Sequence, residues 1–564
     1  MTRQTGGQLL VAALLAQGVT EVFGIPGVQL DAAADALHER QDAIHFTCVR
    51  NEQAATYLAD GYARSSGQVG VAMVVPGPGV LNALAGLATA YATCSPVLLI
   101  AGQIRSDQIG QGFGVLHELP DQTGVLERVT GWTGTARRAA DIPALVVEAF
   151  RRLRSDRPRP VAIEVPPDVL AEVVEDVAVP DRVQQVRTAP PADRVVEAAR
   201  LLLAAERPLL YVGGGIRASD ASAELVALAE AIEAPVLVSE NGRGAIDARH
   251  RLALDSLALR TLRADADLVL AVGSRFVSTF GTRMDTAGAP VLLVNSEPAH
   301  LGGVREPRLA LQGDARATLA ALLAEVRAQA RVGAAGAPFR PSRQDEIDRA
   351  RAWVAGRLAE IAPQQEYLAA LRSVLPADAV LVSEYTQIGY AASMSLPTYH
   401  ARGYLGPGYQ GTLGYGFATA LGAQTADPDR AVVSVNGDGG FSWTLPELST
   451  AKRYGLAVVV IVFRDGYYGN VRRIQRDSYG GRVFASDLTN PDYPALAAAF
   501  GIRSVTVWDP AQLATAVAEG IAAREPVLIE VPVGEFPSPW HLIHEGLATP
   551  APLAPGADRL APPA

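Results

Sequence analysis

An α/β architecture of several doubly wound parallel sheets is predicted from three features of the sequence. Short β-branched apolar runs recur from end to end, most are flanked by Gly or Pro, and alanine-rich helical segments lie between many of them. The runs include residues 71–75, 97–101 and 161–165, then 209–212, 268–272 and 291–294, then 380–382, 432–435, 458–463 and 527–531. Runs that are apolar on both faces and alternate with helices read as strands buried under helices on each side. That pattern defines the α/β class.

A chain of 564 residues exceeds one hydrophobic core and implies about three or four domains. Two Pro- and Gly-rich stretches, residues 188–194 (TAPPADR) and 333–342 (GAAGAPFRPS), have the composition of linkers. They divide the chain into 1–187, 194–332 and 343–540, followed by a Pro- and Ala-rich tail, 546–564. Residues 9–16 (LLVAALLA) read as a packed first helix rather than a signal-peptide core, since only Arg3 precedes them and no clean cleavage site comes after. No stretch approaches the roughly 18 uninterrupted apolar residues of a membrane span. The net charge of -10, without a long basic run, argues against nucleic acid or an anionic membrane as partner. The two cysteines, Cys48 and Cys94, form no CxxC pair, and a reducing cytoplasm is expected.

The strongest local signal lies in the third segment. The run AVVSVNGDGGFSW ends a strand in Gly437-Asp438-Gly439-Gly440, and LAVVVIVFRDGYYGN ends another in Arg464-Asp465-Gly466-Tyr467. Ligands gather at the carboxyl ends of strands in open parallel sheets. Glycines there allow close backbone approach and N–H donation to a phosphate. Two carboxylates are hard oxygen ligands suited to Mg²⁺, which takes one or two of them together with substrate phosphates. On its own, the pattern is also what a Gly-rich turn and a strand-end aspartate in another α/β fold would present.

Together with VRNEQAATYLADGYAR in the first segment, these strand ends resemble the thiamine-diphosphate enzymes of the acetolactate synthase and 2-oxo acid decarboxylase superfamily. The family's motif is GDG with an Asn-Asn pair about thirty residues beyond it. The resemblance implies metal ligation by Asp438, Asp465 and the backbone of Tyr467, with Arg464-Asp465 standing where the family has Asn-Asn. It assigns Gly437, Gly439 and Gly440 to the cofactor, with Thr386 and Gln387 of SEYTQIG reaching the diphosphate from the other side. In GTLGYG, Gly411 and Leu413 match the loop whose bulky aliphatic wedges beneath thiamine and bends it.

In the first segment, VRNEQAATYLADGYAR spans residues 49–64 and is similar to the stretch carrying the family's essential glutamate. Glu52 would then share a proton with N1′ of the aminopyrimidine, and burial should raise its pKa as that exchange requires. Without the other motifs, a glutamate before an alanine-rich helix is an exposed N-terminal charge favoured by the helix dipole. FGIPG with Gly27, VPGPGVLN with Gly77 and Asn82, and AGQ with Gln103 match the family's loops in order, and the likeness implies that Gln103 faces the pocket as a catalytic residue. His117 lies where acetolactate synthases carry Phe-Gln-Glu and pyruvate decarboxylases His-His. It reads either as a proton shuttle or as a hydrogen-bonded loop residue.

The middle segment, with YVGGG and AVGSRF, looks like a nucleotide-binding domain that holds FAD in acetolactate synthases. The flavin loop is missing from residues 253–262, and 277–279 (VST) replace an acidic pair, so FAD is doubtful. The resemblance thus implies pyrimidine-binding, central and diphosphate-binding domains using thiamine diphosphate and Mg²⁺. The expected reaction is decarboxylation or carboligation of a small-molecule 2-oxo acid, with an aldehyde or ketone as acceptor. The same likeness implies a homodimer or homotetramer with active sites at the subunit interface. Cleavage of a diketone or acyl-CoA is an alternative. A nicotinamide oxidoreductase fails for want of a GxGxxG fingerprint, and a catalytically dead subunit is opposed by Glu52, Leu413 and Asp438 together. Arg473 reads as meeting a substrate carboxylate or, preferably, as solvated.

Overall fold

The computed structural model describes residues 3–155, 157–277, 284–302, 306–331 and 340–544. Three six-stranded sheets carry the fold, and every strand pairing within them is parallel. The first sheet, in spatial order, contains His45–Cys48, Glu21–Gly24, Gly70–Val74, Val97–Gly102, Val161–Val165 and Trp132–Thr135. The second is built from Ala253–Asp255, Val236–Val238, Pro208–Val212, Leu268–Val272, Val291–Asn295 and Leu309–Gln312. The third runs Tyr404–Leu405, Val380–Ser383, Val432–Gly437, Val458–Arg464, Val527–Pro532 and Arg503–Thr506. Central strands such as Val161–Val165 and Leu268–Val272 are buried along their whole length. Their lack of polar alternation therefore reflects helices on both faces.

Residues 9–16 lie in the helix Gly6–Ala16, opened by a reciprocal cap in which Thr5 Oγ1 accepts from Gln8 N and Gln8 Oε1 from Thr5 N. The helix Gln344–Leu358 comes after the second Gly/Pro-rich stretch but packs on the central sheet through Ile347, Ala350 and Val354. Arg343 reinforces this contact by donating to the Pro208 carbonyl. In packing, the third unit thus begins beyond residue 358, later than a division at 343. Most of that stretch, and the 546–564 tail, lie outside the described residues.

The first and third units share one apolar core. It joins Ala54, Tyr57 and Leu58 to Tyr415, Phe417 and Leu421. The helices Glu52–Ser66 and Tyr415–Ala426 meet backbone to backbone: a Cβ on Gly61 would lie 2.0 Å from the Thr419 carbonyl oxygen, and one on Gly422 1.9 Å from that of Leu58. Glycine is required here for space, since neither position has a left-handed φ.

Gly422→Ala is therefore expected to destabilise by about 1–3 kcal/mol through overpacking. Gly356→Ala, in an exposed helix with nothing near the new Cβ, should stabilise by up to about 1 kcal/mol. Scanning calorimetry of the two variants should give melting shifts of opposite sign.

Candidate active site

The two strand ends singled out in the third unit are adjacent, because Val432–Gly437 and Val458–Arg464 pair in parallel with Gly437 opposite Phe463. Asp438 is almost fully buried at the start of the helix Asp438–Thr444. Its Oδ2 accepts from Gly466 N at 2.9 Å and from Asn490 Nδ2 at 2.6 Å. Asp465 Oδ1 accepts from Tyr467 N at 2.9 Å and its Oδ2 from Gln387 Nε2 at 2.7 Å. Burial raises the pKa of Asp438, and burial together with the nearby Asp438 carboxylate pushes Asp465 up to about 6. Asp438 Oδ1 accepts from Gly439 N at 3.1 Å, and two carboxylates at adjacent strand ends form a donor set that a hard divalent cation fits. Among the described residues no group of three or more His, Cys, Asp or Glu side chains is arranged to hold a metal, so further ligands here would be backbone or cofactor oxygens.

The glycines beside these carboxylates are sterically fixed. A Cβ on Gly439 would come within 2.8 Å of the Tyr468 ring and one on Gly440 within 1.8 Å of Glu384 Oε2. Gly437 faces Thr386, whose methyl would lie 3.2 Å from an added Cβ. The Thr386 hydroxyl caps its own helix, Gln387–Ser395, accepting from Gly389 N at 3.0 Å. Gln387 also bridges Asp465 to the backbone of Phe536, whose N–H donates to Gln387 Oε1 at 2.7 Å.

Glu384, a residue of SEYTQIG that the sequence motifs do not single out, organises this region. Fully enclosed, it accepts from the backbone N–H of Gly416 at 3.0 Å and from those of Gly414 and Gly437. Burial outweighs these bonds and pushes its pKa up to about 7. A lone glutamate ending a buried strand was the available signal. Asn490 had none, since its contact with Asp438 depends on a distant loop. The Glu384 bonds orient the loop carrying Gly411, at φ +57°, and Leu413, whose side chain is 40% exposed and free to meet a ligand.

In the first unit, Asn82 Nδ2 donates to Glu52 Oε2 at 2.9 Å. Glu52 is half-buried rather than enclosed, because the chain by itself leaves one side of it open. Gly27 packs against Val75, and an added Cβ there would lie 2.4 Å from Val75 Cγ1. Gly77, at φ +58°, lies against the His117 backbone, where an added Cβ would meet the carbonyl oxygen at 2.5 Å. His117 is thereby brought onto the Gly-Pro-Gly loop. Its Nδ1 lies 3.1 Å from Gln29 Oε1, and Gln29 Nε2 donates to the Leu116 carbonyl, which fixes the amide's orientation. A neutral His117 consequently carries its hydrogen on Nδ1 and leaves Nε2 as an acceptor. Gln103 turns inward: its Nε2 donates to buried Glu164 at 3.1 Å and its Oε1 accepts from Ile104 N. Arg473 is not solvated; only 8% exposed, it donates to Glu535 at 3.0 Å and to the Phe536 carbonyl. The sequence preference for a surface arginine missed that the chain returns over it at residues 535–536.

The first and third units meet through backbone contacts as well. Gln53 Nε2 reaches the Leu413 carbonyl at 3.5 Å, and Glu447 Oε1 accepts from Arg50 N at 2.9 Å. Between the central and third units lies a cavity of about 710 Å³, lined by Gly213–Gly215, Ser274, Asn295 and Tyr385. Its floor includes Glu240, which accepts from the Tyr385 hydroxyl at 2.9 Å. Residues 278 and 279 of the segment that departs from the flavin pattern lie outside the described residues.

Comparison with known proteins agrees with this layout. Three domain models of the thiamine pyrophosphate enzymes match in order: the N-terminal binding domain at residues 4–125, the central domain at 195–322 and the C-terminal binding domain at 386–531. The chain belongs to the thiamine pyrophosphate enzyme family. It is 34% identical to the acetolactate synthase large subunit of Parasynechococcus marenigrum (strain WH8102), over 94% of this chain and 87% of that protein. Identity is also 34% to a probable 2-ketoarginine decarboxylase, AruI, of Pseudomonas aeruginosa, over 93% and 94% of the two chains. It is 32% to the acetolactate synthase isozyme 3 large subunit of Escherichia coli (strain K12), over 92% and 93%. The chain is accordingly an enzyme that uses thiamine diphosphate to make or break carbon–carbon bonds.

The elevated Asp465 pKa would give cation binding at this site a pH dependence. Below about pH 6 Asp465 gains a proton and loses its charge, so Mg²⁺-dependent cofactor affinity should fall as pH drops from about 7 to 5. Asp465→Asn should flatten that dependence while retaining binding, and Asp438→Ala should abolish binding, both read by cofactor titration. Without the cation, stability has the opposite trend. The contribution of Asp465 is full below its unfolded value of 3.8 and is lost as pH rises through about 6.

Proposed function

We propose that this enzyme decarboxylates a small 2-oxo acid and passes the remaining fragment either to a proton or to an aldehyde or ketone acceptor. Relatives named as acetolactate synthases and as a 2-ketoarginine decarboxylase support the 2-oxo acid as donor. Thiamine diphosphate, when bound, supplies the electron sink for the pair left as CO₂ departs. Asp438, Asp465 and the Tyr467 carbonyl hold Mg²⁺, and the N–H groups around Gly437, Gly439 and Gly440 hold the diphosphate. Leu413 props the cofactor from below. Glu52, oriented by Asn82, holds and exchanges the proton on the aminopyrimidine nitrogen. His117 moves a proton at the reacting carbon through Nε2, and Gln103 braces the loop beside it. The pairing of Glu52 with Asn82 in one unit, and of Asp438 with Asp465 in another, is the observation that carries this reading.

The same division supports a shared site. Large apolar side chains on the site-bearing segments are exposed in the single chain: Val28 beside Gly27, Leu81 beside Asn82, Leu413, and Trp443 after Gly440. Exposed apolar side chains on each of the site-bearing segments are what a covering partner would bury. A second copy covering them would enclose Glu52, and a pair of such dimers gives a tetramer. Cytoplasmic residence fits the two free cysteines, and no described helix is long and apolar enough to cross a membrane. FAD has no assigned role in this reading, although the cavity facing the central unit is large enough for a nucleotide.

Glu52→Gln is expected to leave folding and cofactor affinity intact while slowing CO₂ release from 2-oxo acids by about 10²-fold or more. A panel of 2-oxo acids, offered with and without aldehyde acceptors, should show CO₂ release by the wild type. A variant as fast as wild type would remove Glu52 from the reaction.

A further inference from the structure

Away from the thiamine site, a second cavity of about 380 Å³ lies where the three units meet. Arginines from all three line it: Arg64 and Arg154 from the first, Arg217 from the central and Arg402 from the third, with Arg182 on the segment leading to the central unit. Asp220 is the single acidic side chain among its described lining residues, and Arg402 already holds it at 2.7 Å.

Arg217 is the outlier. It stands just after the YVGGG glycines, is 5% exposed, and makes no side-chain hydrogen bond or ion pair with any described residue. Burial, and then the like charges of Arg64 and Arg402, hold its pKa down to about 9. Arg64 is partly satisfied: its Nη1 donates to Asp60 and to the Gly406 carbonyl, but its Nε and Nη2 have no partner. The Ser95 hydroxyl on the same wall is also unpartnered. The Asp60 carboxylate acts on Arg217 as a counter-charge but is already paired with Arg64 at 3.3 Å, and burying cations in excess of their counter-charges is costly. Evolved interiors pair such groups or bring an anion to them.

We propose that this junction binds a small phosphate-bearing anion, with Arg217 as its principal ligand and Arg64, Arg402 and Ser95 around it. The guanidinium fork matches tetrahedral oxyanion geometry, and the cavity falls within the range of about 300–1,000 Å³ typical of small-molecule sites. None of its lining residues belongs to the Asp438–Asp465 or Glu52–Asn82 groups. Because each unit contributes an arginine, occupancy would tie the units together.

The test uses the full chain saturated with thiamine diphosphate and Mg²⁺, titrated calorimetrically with inorganic phosphate against sodium chloride of equal ionic strength. Saturable binding of phosphate, a raised melting temperature and no loss of bound cofactor are expected. Arg217→Gln should weaken the binding at least about tenfold. Arg217→Lys, which keeps the charge but not the fork, should fall between, and it serves as the readout if the Gln variant does not fold. No saturable binding, affinity unchanged in these variants, or displacement of thiamine diphosphate by phosphate would each overturn the proposal.

Discussion

The close crossing of the helices Glu52–Ser66 and Tyr415–Ala426 is the constraint on which the rest of the structure depends. Gly61 and Gly422 each face a carbonyl oxygen of the opposite helix, so the two backbones touch without intervening side chains. One of these helices opens with Glu52, and the other continues directly from the Gly411–Gly414 loop. Their contact therefore fixes how the first and third units of one chain stand relative to each other, with Glu52 and the Gly411–Gly414 loop carried on that rigid pair. The Gln53 contact with the Leu413 carbonyl and the Glu447 contact with Arg50 lock the same relation at the edges.

On that frame the third sheet brings opposing chemical demands together. Parallel pairing delivers Asp438 and Asp465 to one edge, where burial disfavours ionisation of both and the Asp438 charge further disfavours that of Asp465. A divalent cation would relieve that cost, and the adjoining glycines would leave room for a diphosphate to bring its own oxygens. Glu384 holds the arrangement from behind. It accepts backbone N–H groups from three glycines on two separate segments, and so couples the shape of the Leu413 loop to the Gly437–Gly440 turn.

Much of this was legible in the sequence because it depends on local pattern. Uninterrupted β-branched runs marked strands buried on both faces, and glycines with an aspartate after such runs marked the ligand edge. Glu52 and Asn82 both stand out by motif, although their hydrogen bond emerges only from the fold. What escaped the sequence depends on long-range return of the chain. Asn490 bonds Asp438 from a loop that carries no motif, Glu535 and Phe536 turn Arg473 from a surface group into a buried one, and Glu164 draws Gln103 inward. The helix Gln344–Leu358 is of the same kind: a Gly/Pro-rich linker precedes it, yet its apolar face fits the central sheet.

The central claim is that catalysis joins Glu52 of the first unit to the Asp438 centre of the third across two copies of the chain. Mixing an inactive Glu52→Gln chain with an inactive Asp438→Ala chain, under conditions that exchange subunits, tests it most directly. Random pairing should restore up to about a quarter of wild-type activity, since half the dimers then carry one intact site of two. Confirmed exchange with activity remaining at zero would contradict it.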